Sequence, residues 1–149
     1  MTTKLSVYSA DQVKIVICGL VFESGFADGE FLTIEMASDD YSDKVGPDGD
    51  VERARTNDAR ADIKLKLLQT SQGNTYLVAL READMASPNG GGIGSFLVTD
   101  LCAGAIIAKA EKVWIKKPPS TGRGKEGVET EWALRASHMK LTPVGSPAV

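Results

Sequence analysis

Between residues 61 and 70 the chain reads ADIKLKLLQT, with apolar and charged side chains taking strict turns. Ile63, Leu65 and Leu67 fall on one side of an extended backbone, and Asp62, Lys64 and Lys66 on the other. A period of two marks a strand with one dry face and one wet face, which antiparallel sheets offer and fully covered parallel sheets do not. Whatever fold the chain adopts must therefore contain an antiparallel sheet with a charged outer surface.

The remaining segments extend that sheet. The stretch 13–23 (VKIVICGLVFE) is β-branched and apolar, and predicts a strand buried on both faces or at an interface. SGFADG at 24–29 is turn chemistry, with Asp28-Gly29 a hairpin signal. EFLTIEMA at 30–37 follows as a strand, with Leu32, Ile34 and Met36 opposite Phe31, Thr33 and Glu35. Further strands are predicted at 95–100, at 105–117 up to Pro118-Pro119, and at 128–141, where Thr130, Trp132 and Leu134 alternate with Glu129, Glu131 and Arg135. A short turn at 100–104 joins the first two of these. One helix is predicted over 71–86, capped by Ser71 or Asn74, with Tyr76, Leu77, Leu80 and Ala83 on its apolar line. SPNGGGIG ends it. About six or seven antiparallel strands with one flanking α-helix define a mainly β class, a sandwich or barrel.

A chain of 149 residues, 42% hydrophobic and 25% charged, reads as one domain over 1–149. Its net charge of -3 gives no basic field for gripping nucleic acid. The longest apolar run, 15–22, is too short to cross a bilayer as a helix, and the N-terminus lacks a secretory signal pattern. Cys18 and Cys102 each sit in an apolar segment, and two buried thiols are favoured over a disulfide.

Residues 39–60 carry Asp39, Asp40, Asp43, Asp48 and Asp50 around Gly46-Pro47-Asp48-Gly49. A calcium loop of the EF-hand kind needs oxygen ligands at alternate positions and a closing glutamate. Counted from Asp39 or Asp43 the ligands fall out of phase and no glutamate closes the series, so a looser calcium site is the alternative. Gly46 to Gly49 reads instead as a β-turn, Pro47 presetting φ and Gly49 accepting a positive φ. Nothing else assembles a catalytic or metal constellation. His138 has no metal-spaced partner and is read as structural. IGSFL lacks a nucleophile elbow, and GGGIG (90–94) lies after a helix, the wrong order for cradling phosphate. Trp114 and Trp132 are read as core or interface anchors, since no basic stripe interleaves them. The chain is therefore expected to be no enzyme and to need no cofactor or metal.

The order of its segments is informative. GFADGEFLTIEMASDDYSDKVGPDGDVERARTND runs straight into ADIKLKLLQTSQGNTYLVAL, and GSFLVTDLCAGAIIAKAEKVWIKKPP precedes a basic glycine loop and ETEWALRA. Over roughly residues 8–141 this resembles the tail tube (inner tube) proteins of contractile-tailed bacteriophages. The most telling pieces are Gly29-Glu30-Phe31, Val45-Gly46-Pro47-Asp48-Gly49, the run 67–74, Trp114-Ile115 and Glu131-Trp132. The resemblance implies two packed sheets closing a small barrel beside one helix. It also implies six copies in a ring, with inner strands joined edge to edge, and rings stacked into a hollow tube. Genomic DNA and a tape-measure protein would occupy the lumen without sequence-specific binding. A contractile sheath would surround the tube, with baseplate and tail terminator proteins at its ends, in a virion assembled in the host bacterial cytoplasm.

On that footing 39–60 is expected to be an extended loop between subunits and rings. Asp43, Asp48, Asp50, Glu52, Arg53, Arg55 and Arg60 would pair with a neighbour's charges and set register more than affinity. Glu35, Asp62, Lys64 and Lys66 are the candidates for the lumen face; either Asp62 and Glu35 neutralise the lysines, or that face meets a neighbour. The helix and the 116–127 loop are expected to face the sheath, and 142–149 to form an extended C-terminal tail. The rival readings are a ring-forming tail terminator, a completion or injection-needle protein, or a small ligand-binding β-barrel or enzyme acting through the Asp cluster.

Overall fold

Ten strands and one α-helix make up the computed structural model, which describes residues 5, 8–101 and 104–143. A single 3-10 turn, Ala10–Gln12, leads into β1 (Val13–Ile17), β2 (Leu20–Phe22), β3 (Leu32–Met36), β4 (Tyr41–Val45), β5 (Val51–Arg55) and β6 (Ala61–Leu68). Then come α1 (Gln72–Ala86), β7 (Gly94–Asp100), β8 (Ala105–Lys117), β9 (Glu129–Ala136) and β10 (Met139–Leu141). Eight strands form one antiparallel sheet in the order β2-β1-β7-β8-β9-β6-β3, with β10 on β8; among the described residues β4 and β5 pair only with each other.

This is a single continuous sheet rather than two separate ones. It curls because β8, at 13 residues, serves both layers: its first half pairs with β7 and β10, its second with β9. Register shifts opposite Gly94–Phe96 and at Ile115–Lys117 give β8 the irregular twist that such a roll requires. The curl brings β2 and β6, distant in strand order, against one helix. A methyl group on Gly73 of α1 would meet Phe22 of β2 at 2.8 Å and Leu67 of β6 at 3.0 Å. Ile15, Ile17, Phe22, Ile63, Leu65, Leu67, Leu77, Phe96, Val98, Trp132 and Leu134 share one buried core, and the alternation of β6 points where the period of two required.

The predicted strand at 13–23 is a hairpin. Ile17 pairs with Leu20 across a two-residue turn in which Cys18 (φ 51) and Gly19 (φ 84) are both left-handed. Two positive φ values define the tight turn whose twist suits a β-hairpin. Cysteine seldom adopts that conformation, and its apolar character hides the turn in the sequence. Cys18 is half-buried, and burial with Asp84 nearby pushes its thiol pKa up. Cys102 lies outside the described residues, as do 144–149 of the expected tail.

Asp28-Gly29 does turn the chain, with Gly29 at φ 86, but it joins no hairpin. β2 and β3 stand at opposite ends of the sheet. The segment around the turn runs along β6 on both sides: Phe26 bridges Leu67, Ala27 N donates to Lys66 O, and Lys66 N donates to Phe31 O. Phe26 and Phe31 stack at 4.4 Å across it, an aromatic contact that clips the excursion shut.

Helix α1 begins where expected, Ser71 Oγ accepting from Gly73 N at 3.2 Å. Its inward line is Gly73, Leu77 and Leu80; Tyr76 and Ala83 are exposed. The predicted strand 128–141 breaks at Ser137-His138, where Ser137 N donates to Lys112 O and Met139 N crosses to Ala59 O. Ala136 opposite Val113 and Met139 opposite Ala110 keep one register across the break, so His138 occupies an exposed bend rather than a strand position.

Candidate assembly interface

The polar stretch expected as a loop is a β-hairpin. β4 and β5 pair Tyr41 with Arg55, Asp43 with Arg53, Lys44 with Glu52 and Val45 with Val51. All ten of their residues are exposed, so no burial stripe betrays the strands in the sequence. Opposite charges stand across from each other at two of the five pairs, which favours the pairing in place of an apolar face. At the tip Gly49 N donates to Gly46 O at 3.0 Å and Gly49 takes φ 91, as the Gly-Pro-Asp-Gly motif predicts.

The hairpin prolongs the β3–β6 pairing. That ladder ends at Met36 opposite Ala61 and resumes at Tyr41 opposite Arg55. Between them Ala37 N donates to Arg60 O and Thr56 N to Asp40 O. Asp58 ties the junction: it accepts from Ser38 Oγ at 2.8 Å, from Arg60 N at 3.1 Å, and from Arg60 Nε and Nη2 at 2.9 and 2.8 Å. These donors, the Arg60 side chain first, hold the Asp58 carboxyl well below the usual carboxylate range.

The expected contact residues divide accordingly. Asp43, Glu52, Arg53 and Arg55 lie on the hairpin strands, and Asp48 and Asp50 at its tip, where Asp50 N approaches Asp48 Oδ1 at 3.4 Å. Arg60 lies at the base, its guanidinium taken up by Asp58. Arg53 sits 4.2 Å over the ring of Tyr41. Among the described residues no three His, Cys, Asp or Glu side chains converge to hold a metal ion.

The four lumen candidates do share one face. Glu35 stands opposite Asp62 and Thr33 opposite Lys64. On the other side of β6, Asp62 faces Arg135 and Lys66 faces Glu131. Arg135 Nε and Nη2 donate to Asp62 Oδ1 at 3.0 and 2.8 Å, with Lys116 Nζ at 3.6 Å and Lys64 4.0 Å from Glu131. Hydrogen bonding and charge from Arg135, then Lys116, lower the pKa of Asp62. The ion pairs mesh β6, β9 and the far half of β8: Asp62 takes Arg135 and Lys116 rather than Lys64 or Lys66, and Lys64 approaches Glu131. Among the described residues Glu35 and Lys66 make no ion pair.

Both edges of that four-stranded patch are open among the described residues. β3 ends the sheet order. On β8 the pairing with β7 stops at Val113 opposite Gly94, leaving residues 114–117 bonded to β9 alone. Sequence reasoning missed this second edge because strand length does not reveal where a partner stops. It also missed the Asn74 side chain, which ties α1 to Thr130 and Trp132 of β9. The loop after Lys117 is exposed through most of its length, with Val128 N donating to Gln69 Oε1 at 3.2 Å.

An antiparallel sheet rolled against one helix is a fold this chain shares with chains from the tube and terminator assemblies of contractile injection systems. A chain of the anti-feeding prophage cap, its tube terminating cap, superimposes with a TM-score of 0.59 at 9% identity, covering 95% of both chains. A chain of the PVC sheath/tube terminator in the extended state gives 0.55 at 10% identity over 89% of this chain and 94% of that one. A chain of the PVC sheath-tube complex gives 0.53 at 9% identity, over 91% and 93%. The chain belongs to the Bacteriophage PhiTE tail tube protein family, whose model matches residues 5–142. Structural protein ORF10 of Pseudomonas phage KPP10 is 24% identical across all of this chain and 88% of its own length. The protein is thus a structural component of a phage tail and not an enzyme.

Proposed function

We propose that this chain builds the inner tube of a contractile phage tail as stacked hexameric rings through which the genome is ejected. The observation that carries this reading is the pair of open edges on one four-stranded patch. β3, β6, β9 and β8 alternate in direction, so a copy rotated about an axis along the strands offers its residues 114–117 antiparallel to β3. Each copy supplies two different edges, a heterologous contact that closes into a ring when the rotation allows. Exposed edges otherwise invite uncontrolled association.

Closed in this way, the meshed face lines the channel. Lys64, Lys116 and Arg135 already stand beside the carboxylates of Glu131 and Asp62, which weakens the positive field that a passing phosphate backbone meets. DNA and a tape-measure protein would pass without being held. The outer face of α1 and the 116–127 segment, less residues 116–117 that end β8, would meet the sheath, and baseplate and terminator proteins the two ends. The hairpin would reach the next ring.

A second reading, a ring that terminates the tube, draws on the 0.59 likeness to a tube terminating cap. Negative-stain microscopy of the purified protein separates the two. Open-ended cylinders of uniform width are expected for the tube; rings that never stack support the terminator, and monomers contradict both.

A further inference from the structure

The two ends of the β3–β6 ladder carry matching features. The hairpin leaves beyond the Met36–Ala61 pair. At the other end of β6, a groove of about 640 Å³ opens between β2 and the first turn of α1, lined by Val21, Phe22, Glu23, Gly25, Gln72 and Tyr76 among others. The eight residues of β6 set these features about 26 Å apart at roughly 3.3 Å per residue.

Their surfaces are complementary. One hairpin face presents Tyr41, Val45 and Val51, exposed by 47%, 67% and 63%, with Arg53 and Arg55 outnumbering Asp43. The groove presents Val21 and Tyr76, exposed by 51% and 42%, and Glu23 is the one charged side chain lining it. Lys14 Nζ lies 3.3 Å from that carboxylate, at the rim. Apolar area left in water on both surfaces favours their contact. Unlike surfaces at opposite ends of one molecule make a head-to-tail contact, which stays open when each copy is displaced along the line that joins them.

Resting on the tube reading, we infer that the hairpin tip of one copy seats in this β2–α1 groove of a second copy displaced along the strand direction. Val45 and Val51 pack against Val21 and Tyr76, and Arg53 and Arg55 lie beside Glu23. The groove is therefore the receiving site for stacking.

Cysteine cross-linking tests this. The double variant Val45→Cys/Tyr76→Cys, mildly oxidised after assembly, should give a ladder of dimers, trimers and longer species, at least fivefold above either single variant. The single variants also measure any background from Cys18 and Cys102. Cylinders without such a ladder overturn the groove assignment while the tube reading stands. Hydrogen exchange on the unaltered protein is an independent test. Assembled cylinders, compared with dissociated subunits, should slow exchange at least tenfold in both 41–55 and 70–76. Slowing confined to 41–55 overturns the inference. Failure of the unaltered protein to form cylinders removes the tube reading, and the inference with it.

Discussion

The indole Nε1 of Trp132 donates to Asn74 Oδ1 across 2.9 Å, joining the buried core of β9 to the first turn of α1. The same oxygen accepts from Thr130 Oγ1 at 2.6 Å, and Asn74 Nδ2 donates to Leu68 O at 2.9 Å. One side chain thus satisfies a buried tryptophan and the end of β6 at the point where the chain turns from strand to helix.

Asn74→Ala should destabilise the unassembled protein by about 1–3 kcal/mol, because the buried indole N–H loses its acceptor. That corresponds to roughly 2–4 °C of melting temperature per kcal/mol for a chain of this size. Urea denaturation of Asn74→Ala, Trp132→Phe and the double variant should show losses less than additive by at least about 0.5 kcal/mol. Full additivity would show that the contact carries no coupling.

Gly73→Ala sets two effects against each other. Alanine inside an exposed helix gains about 1 kcal/mol over glycine. Here the new methyl meets Phe22 and Leu67 at 2.8–3.0 Å, both of them fixed in the core. Overpacking of that kind costs about 1–3 kcal/mol, so a net loss of about 1 kcal/mol is expected in a thermal melt. A rise in melting temperature contradicts the packing described.

Asp62 predicts a pH dependence. Its folded-state pKa is lowered, chiefly by Arg135. A depressed carboxylate stabilises the fold above its unfolded value of about 3.9, and that stability is lost as pH falls below it toward the folded value. Melts at successive pH values should therefore fall more steeply between about pH 5 and pH 2 for the unaltered protein than for Asp62→Asn. Parallel curves would show that the ion pair contributes nothing to the acid limb.

Removing the hairpin should separate folding from assembly. Asp40 and Thr56 are already bonded, Thr56 N to Asp40 O at 2.7 Å, so deleting 41–55 with a two-glycine bridge leaves the body's core untouched. The shortened, unassembled protein should melt within a few degrees of the parent and form no cylinders. Cylinders of normal length would show that the hairpin is not an assembly element.

What the sequence discloses follows from which forces leave a periodic trace. β6 is legible because its inward residues are buried and its outward ones are not, and the 46–49 turn because proline and glycine fix its angles. β4 and β5 leave no such trace, since both faces meet water and no alternation of buried and exposed residues marks them. The Cys18-Gly19 turn is masked by an apolar run on both sides. Asp28-Gly29 misleads because local turn chemistry does not determine which strand the chain meets next. The lumen candidates fall on one face because alternation places them, whereas Arg135 and Lys116, the partners of Asp62, come from other strands that no local pattern connects.

A three-dimensional electron-microscopy reconstruction of the assembled protein is the most direct test of how copies join. Backbone hydrogen bonds between β3 of each copy and residues 114–117 of its ring neighbour, with Asp62 and Lys64 facing the channel, are the predicted result. Rings whose neighbours meet through other surfaces, or with those two edges facing solvent, would contradict it.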